Sequence, residues 1–419
     1  MKYVLVIGDG MADDPVPELN GKTPLQYAKT PVMDRLAGAG VFGNVLTVPD
    51  GIQAGSDTAI LTIFGCDPQT CYFGRAPLEA AALGIQLSEG DIAYRMNLIT
   101  LEDGNIPFDE KKIISHSSGA IDGRESDELI KGLYENAEFA SITKEAEIKI
   151  YLGSSFRHIA VQSNVVSRTL ALTPPHDYLN EPAGLYLPKG DTNAVILKKL
   201  IKLSYKILND HPVNIKRRAE GKLPGNCIWF WADGKAAKLP DFKEKYNKKG
   251  SVISAVPLCQ GIGLMLGLDR ILVDGATGEL HTNYEGKMEA AVDALITNDF
   301  VAVHIEAPDE CTHNGDLKGK IQAIEWIDSR VISPLLEKLD KGEDDYRLLI
   351  MSDHRTLSST RGHDAGPVPY ILYDSRTDQA EENRNKAERP LSFCEKDAAL
   401  DNIINDGTKL MSLLFEEAQ

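Results

Sequence analysis

Residues 2–10, KYVLVIGDG, decide how the rest of the chain is read. The run YVLVI is apolar and rich in β-branched residues, and Gly-Asp-Gly stops it, as for a parallel strand buried on both faces. Two later stretches repeat the construction: DFVAVHIEAPDECTH (299–313) and YRLLIMSDH (346–354). In open α/β sheets the ligand crevice lies at the carboxyl ends of the strands. Asp9, Asp309, His313, Asp353 and His354 are therefore expected at one shared site. Asp309 and His313 are four apart, so one helical turn puts both on the same side. His363 follows in the loop before VPYILYD (368–374). His304 sits inside an apolar run and is expected to pack or hydrogen-bond there.

Working outward, GSVISAVPL (250–258), DRILVDG (269–275) and VPYILYD supply further strands. CIWFWAD (227–233) is read with them. Helical stretches such as 285–298 and 320–339 alternate with these, and TPVMDRLAGAG (30–40) opens on Thr-Pro and closes on Gly. The alternation predicts an α/β fold, a largely parallel sheet with helices on both faces. Between about 111 and 224 the character changes: EIKIYLG (147–153), FRHIAVQ (156–162) and VSRTLAL (166–172) read as short strands, and 193–208 as a strongly periodic helix. The polar, basic NIKRRAEGKLPGN (214–226) reads as the exit from an insertion. The expected division is a core domain of 1–114 and 226–419 and a smaller inserted α+β domain of 115–225. Residues 375–390 read as a polar surface loop.

A length of 419 residues supports two or three domains. The net charge of -17 argues against sequence-independent nucleic-acid binding, which needs clustered Lys and Arg. It leaves an anionic substrate open, because bound cations and a few arginines invert the local field. Six cysteines without a CxxC pair read as free thiols of a reducing compartment. The first apolar run is too short for a signal peptide and no stretch approaches a membrane span. The cytoplasm is the expected location, with no membrane or nucleic-acid partner.

Ser56, between Gly55 and Asp57, begins SDTAILTIFG (56–65). Its ordinary role is a helix N-cap; its chemical role would be a nucleophile, favoured by a helix N-terminus and metal contact. The residues alone leave both open. Two Asp-His groupings plus a carboxylate and a hydroxyl are about what two divalent metals need for hydrolysis or phosphoryl transfer. GIGLMLG (261–267) mimics a dinucleotide fingerprint, but its third glycine comes one residue late, so it reads as an apolar helix packed on the sheet. No GxxxxGK[ST] loop is present.

GDGMAD (8–13), AGSDTAILTIFGCDP (54–68), GRAPLEAAALGI (74–85), TNYEGK (282–287), EAPDECTHNGD (306–316) and SDHRTLSSTRGH (352–363) with PVPY run nearly end to end. In these stretches the chain resembles the archaeal-type cofactor-independent phosphoglycerate mutases of the alkaline phosphatase superfamily. The resemblance implies an alkaline phosphatase-like core and two divalent ions, manganese first and zinc, cobalt or magnesium as alternatives. Asp309, His313 and His363 would hold one; Asp9, Ser56, Asp353 and His354 would hold the other. Ser56 would be the phosphorylated nucleophile, and 3-phosphoglycerate and 2-phosphoglycerate would interconvert without 2,3-bisphosphoglycerate.

The substrate's phosphate and carboxylate call for guanidinium groups, which match both bidentately. Arg75 and Arg157 are the first candidates, then His158 and His176, then Lys235 and Lys287. The inserted domain is expected to close over the intermediate and exclude water. Oligomeric state is left open. Two other functions stay in view. One is a homoserine kinase-like phosphotransferase of threonine biosynthesis, towards which IWFWADGK (228–235), FRHIAVQ and TPPHDYL (173–179) lean. The other is a non-catalytic metal- or phosphate-binding protein.

Overall fold

The computed structural model describes residues 1–165, 169–236, 238–377, 390–399 and 403–416. Two compact units emerge, Met1–Tyr72 with Lys238–Gln419, and Phe73–Ala237.

The first unit is built on an eight-stranded sheet. Its order is Asp269–Ile271, Gly250–Ile253, Phe300–Ile305, Lys2–Gly8, Tyr346–Met351, Val368–Asp374, Val41–Val45 and Ile403–Ile404. Val368–Asp374 runs antiparallel to both its neighbours, and the other pairs are parallel. Every residue of Phe300–Ile305 and Tyr346–Met351 is buried, which requires cover on both faces of the sheet. Register places the chemistry. Gly8 pairs with Ile305 and Ile7 with Met351, so three parallel strands end level and release Asp9, the Ala307–His313 helix and Asp353 together. The helical run expected over 320–339 forms as Leu317–Trp326 and Ser333–Asp340 around a π-helical turn, Ile327–Ile332. That wider turn comes just before Pro334, which has no N–H to offer the Arg330 carbonyl.

The second unit is larger than the expected insertion, and the reason lies in one antiparallel sheet. Ile92–Leu101 pairs through Ile92 to Asn97 with Arg157–Gln162 on one side and through Ile92 to Ile99 with Cys227–Lys235 on the other. Ile148–Tyr151 and Ile113–Ser115 extend the sheet. The unit thus begins at Phe73 instead of 115 and ends at Ala237 instead of 225. CIWFWAD belongs to this sheet and not to the parallel one. The Thr192–Leu208 helix packs on it over a core that includes Tyr94, Trp229 and Phe230. The basic 214–226 segment is no exit linker: Pro212–Ala219 is a helix, and Arg217 is buried on Glu125 and the carbonyls of Ser118 and Leu223. Of VSRTLAL only Leu170–Ala171 is a described strand, and 166–168 lie outside the described residues. The expected loop of 375–390 likewise falls largely outside them. All six cysteines are buried and free. Among the described residues no helix is long and apolar enough to cross a membrane.

GIGLMLG lies in and just beyond the Pro257–Met265 helix, and Gly263 in it serves packing. A Cβ on Gly263 would stand 2.3 Å from Val252 Cγ1 and 3.0 Å from Val252 Cβ. Helix propensity favours Ala over Gly by about 1 kcal/mol. Overpacking against a stiff valine costs about 1–3 kcal/mol. Gly263→Ala is therefore expected to destabilise the first unit, and a denaturant titration giving a higher midpoint would contradict the packing argument.

Candidate active site

Asp9 leaves the first strand with its N–H on the Ile305 carbonyl. Gly10 follows at φ 62 and donates its N–H to Asp353 Oδ1 at 3.1 Å. His354 also donates its N–H to that oxygen, at 2.7 Å. Asp309 Oδ2 meets His313 Nε2 at 3.1 Å, one turn away in the same helix. His363 is carried on Gly362–Asp364, which pairs with Arg355–Leu357, and its Nε2 lies 3.5 Å from Asp309 Oδ1. Ser56 is the first residue of the Ser56–Ile63 helix, where Gly55 holds the cap position. Its Oγ faces His354 Nε2 at 3.1 Å and Asp9 Oδ2 at 3.3 Å. The structure thus brings all seven residues together and turns the Ser56 hydroxyl into the cluster, away from capping.

The electrostatics of this cluster are unfavourable to the bare chain. Burial, then the charges of Asp353, Asp309 and Glu306, push the Asp9 carboxyl well above the usual range. Burial also opposes ionisation of Asp309, but hydrogen bonds from His313 and His363 outweigh it and hold that carboxyl well below. His313 in return is raised to about 9, chiefly by its bond to Asp309. Asp9 Oδ1 and Asp353 Oδ2 are buried with no hydrogen-bond partner among the described residues. A buried carboxylate oxygen left unsatisfied costs roughly 1–3 kcal/mol, so both atoms fit a cation. Three groups have donor atoms within 4.8 Å of one another: Asp309, His313 and His363; Asp9, Asp309 and His354; Asp9, His304 and Asp353. The donor set, carboxylates and imidazoles with one hydroxyl, suits divalent transition metals.

His304 is the residue whose importance the sequence hid. It does hydrogen-bond, as expected, but to the site: Nε2 lies 2.9 Å from Asp9 Oδ2, and Nδ1 lies 3.1 Å from Ser254 Oγ. Burial lowers it to about 4, so the ring is neutral and can orient Asp9 by one N–H. Lys287 is not exposed to a ligand. It is fully buried, with Nζ on the His304 carbonyl at 3.0 Å, because its helix packs against that strand.

In the second unit a separate group of cations gathers around Trp231. Arg95 stacks its guanidinium 4.0 Å over the Trp231 ring, and Arg95 and Arg75 share one carboxylate, Glu79, at 2.9 and 3.0 Å. The His176 ring lies 5.0 Å from Trp231, and the His116 ring 5.8 Å from His176. Trp231 Nε1 donates to Asn97 Oδ1, and Asn97 Nδ2 donates to the His116 carbonyl. Arg157 covers Phe156 at 4.2 Å. Burial and neighbouring positive groups depress His116 and His176, and burial brings Arg95 down to about 10. Arg75, Arg157 and His176 of the expected set lie in this group, and Arg95 and His116 join them. His158 does not: it is buried, with Nε2 on Ser126 Oγ at 2.8 Å. Lys235 is exposed at the end of its strand.

The metalloenzyme superfamily matches residues 1–415. The 2,3-bisphosphoglycerate-independent phosphoglycerate mutase of Methanosarcina acetivorans is 46% identical over 381 residues, covering 91% of this chain and 92% of the relative. A probable enzyme of the same name from Geobacter sulfurreducens is 42% identical, covering 99% of this chain and 100% of its own. Among solved structures, the PH0037 protein of Pyrococcus horikoshii is 30% identical with a TM-score of 0.79, covering 100% of this chain and 98% of that one. The cofactor-independent phosphoglycerate mutase of Thermoplasma acidophilum is 26% identical with a TM-score of 0.61, covering 99% and 98%.

A carboxyl whose folded pKa is raised favours folding at low pH, and that contribution is lost as pH rises through the folded value. The burial and neighbouring carboxylates that raise Asp9 therefore make its ionised form destabilising to the metal-free chain. Asp9→Asn is expected to raise its thermal midpoint by a few degrees, about 1–2 kcal/mol. The same change should remove most of the further rise that a divalent cation gives the wild type. Calorimetry with and without a chelator reads both, and a lower midpoint for the metal-free variant would refute the repulsion.

Proposed function

The chain belongs to the 2,3-bisphosphoglycerate-independent phosphoglycerate mutases of the metalloenzyme superfamily, and from that membership we propose that it interconverts 3-phosphoglycerate and 2-phosphoglycerate through a phosphoserine at Ser56. The observation that carries this reading is the Ser56 hydroxyl, placed at a helix start and aimed at Asp9 and His354. Asp309, His313 and His363 would hold one divalent ion, and Asp9, Ser56, Asp353 and His354 the other. When bound, such ions neutralise phosphoryl oxygens and favour the ionised serine. Manganese is the first choice, and zinc, cobalt or magnesium also suit these donors.

The remaining work belongs to the chain. Asp9 Oδ2, 3.3 Å from Ser56 Oγ, is a carboxylate acceptor within reach of the hydroxyl proton. As Oγ attacks phosphorus, the Oγ–P bond forms and the bond from phosphorus to the substrate oxygen breaks; that oxygen takes up a proton. In the return step the neighbouring glycerate hydroxyl attacks, its O–P bond forms, and Ser56 is released. No bisphosphate cofactor enters the balance. The positive field at the N-terminus of Ser56–Ile63 favours the negative charge developing at Oγ. Arg75, Arg95, Arg157, His116 and His176 would hold the phosphate or carboxylate of the substrate, since planar guanidinium groups pair with both. The buried free thiols support a reducing, cytoplasmic setting.

Ser56→Ala is expected to lower turnover about 10⁴-fold or more and to abolish phosphate incorporation at that position. Mass spectrometry after mixing metal-loaded protein with 3-phosphoglycerate checks the second point. No 2-phosphoglycerate from the wild type would sink the mutase reading, and phosphohomoserine formed from homoserine and ATP would install the kinase-like one. Arg157→Ala should raise KM roughly 10–100-fold, the worth of one charged hydrogen bond, with a smaller change in kcat. Steady-state kinetics would refute that role if KM stayed unchanged.

A further inference from the structure

Thr356 is fully buried beside the metal-friendly cluster, and the proposed chemistry gives it no task. Its Oγ1 lies 2.6 Å from Asp309 Oδ1 and 3.2 Å from His354 Nδ1. A hydroxyl has one proton to give. Asp309, flanked by His313 and His363, is an ionised acceptor, and 2.6 Å is the length of a charge-assisted O–H···O bond. The hydroxyl proton therefore goes to Asp309. The remaining contact, to His354 Nδ1, is then a hydrogen bond only if the imidazole is the donor.

The rest of the fold holds Thr356 in place for this. Its N–H donates to the Ala12 carbonyl at 3.0 Å, and its carbonyl accepts from Lys320 Nζ at 2.7 Å. Lys320 is itself buried and paired with Asp13 at 2.8 Å. Gly10 clears the space. A Cβ there would fall 2.5 Å from Thr356 Oγ1 and 2.8 Å from Asp309 Oδ1.

We propose that Thr356 is a positioning residue that ties the Asp309 group to the Ser56-facing group and holds His354 as the tautomer with Nδ1 protonated and Nε2 free. Nε2 is the atom 3.1 Å from Ser56 Oγ, so one hydroxyl sets both the aim of Asp309 and the electron pair offered beside the nucleophile. The significance of the tie rests on reading the cluster as a two-metal site; the tautomer does not.

The test uses the full chain with ¹⁵N-labelled histidine, first treated with chelator and then titrated with zinc, and His354→Asn assigns the resonance. The wild type is expected to show His354 protonated at Nδ1 in both states. Thr356→Val, nearly isosteric, should shift that resonance and weaken zinc binding by roughly 10–100-fold, with Thr356→Ser restoring it. Gly10→Ala should reproduce the Val effect by displacing the hydroxyl. A wild-type His354 protonated at Nε2 overturns the proposal, even if Thr356→Val fails to fold. So does a folded Thr356→Val chain with wild-type zinc affinity. A wild type that takes up no zinc, manganese or cobalt overturns the metal reading instead, and leaves the tautomer result standing.

Discussion

Three buried carboxylates, Asp9, Asp309 and Asp353, crowd at the ends of adjacent parallel strands, and much of the first unit is organised around holding them there. Left alone they repel. Asp9 is driven towards its neutral form, and an oxygen on each of Asp9 and Asp353 has no hydrogen-bond partner among the described residues, His354 Nε2 standing 3.5 and 3.4 Å away. Parallel register creates the crowding, because strands that end level deliver their following residues to one edge. The orientation of each carboxylate is then fixed by a neutral or short-range partner: His304 on Asp9, backbone N–H groups on Asp353, and Thr356 with His313 on Asp309. Only His313, raised to about 9, brings a counter-charge, and it serves Asp309. The site is thereby aimed before a cation arrives, which lowers the reorganisation a bound ion would require.

The second unit carries the opposite sign of the same problem. Arg75 and Arg95 share Glu79, His176 meets Asp177 at 3.5 Å, and Trp231 supplies a flat face that lets Arg95 be buried without losing its planar hydrogen-bonding edge. A chain with a net charge of -17 thus keeps a local concentration of cations.

What the sequence showed depended on whether a residue's role is set by its chain neighbours. Asp9, Asp309 and Asp353 were legible because each follows directly on an apolar strand, and His313 because four positions make one helical turn. His304 and Arg95 were not, since a strand residue's partners lie across the sheet: His304 stands in register with Ile7, and Arg95 with Trp231. The same reason misplaced CIWFWAD, whose apolar aromatic run reads equally well as a parallel core strand until its antiparallel partner is known. His158 and Lys287 have the right chemistry and the wrong burial, which local pattern does not reveal. Ser56 needed the fold to exclude the cap role, and Gly55 in the cap position does so.

Two fully buried lysines show how closely the charge balance is drawn. Lys287 donates to the His304 carbonyl, and Lys320 to Asp13 and the Thr356 carbonyl. Burying an ammonium is costly, and burial lowers both lysines from their ordinary range. Direct pairing with Asp9, Asp309 or Asp353 would relieve that cost and the carboxylate repulsion together. The hydrogen bonds each makes instead go to the residues behind them, His304 and Thr356. A lysine one layer forward would neutralise the site permanently and occupy the space between the carboxylates. Set one layer back, the two cations fix the backbone of the orienting residues and leave the inward-facing oxygens open to a cation. Stability is given up at the centre and partly recovered around it, which is the arrangement a site needs if its neutralising cation comes from solution.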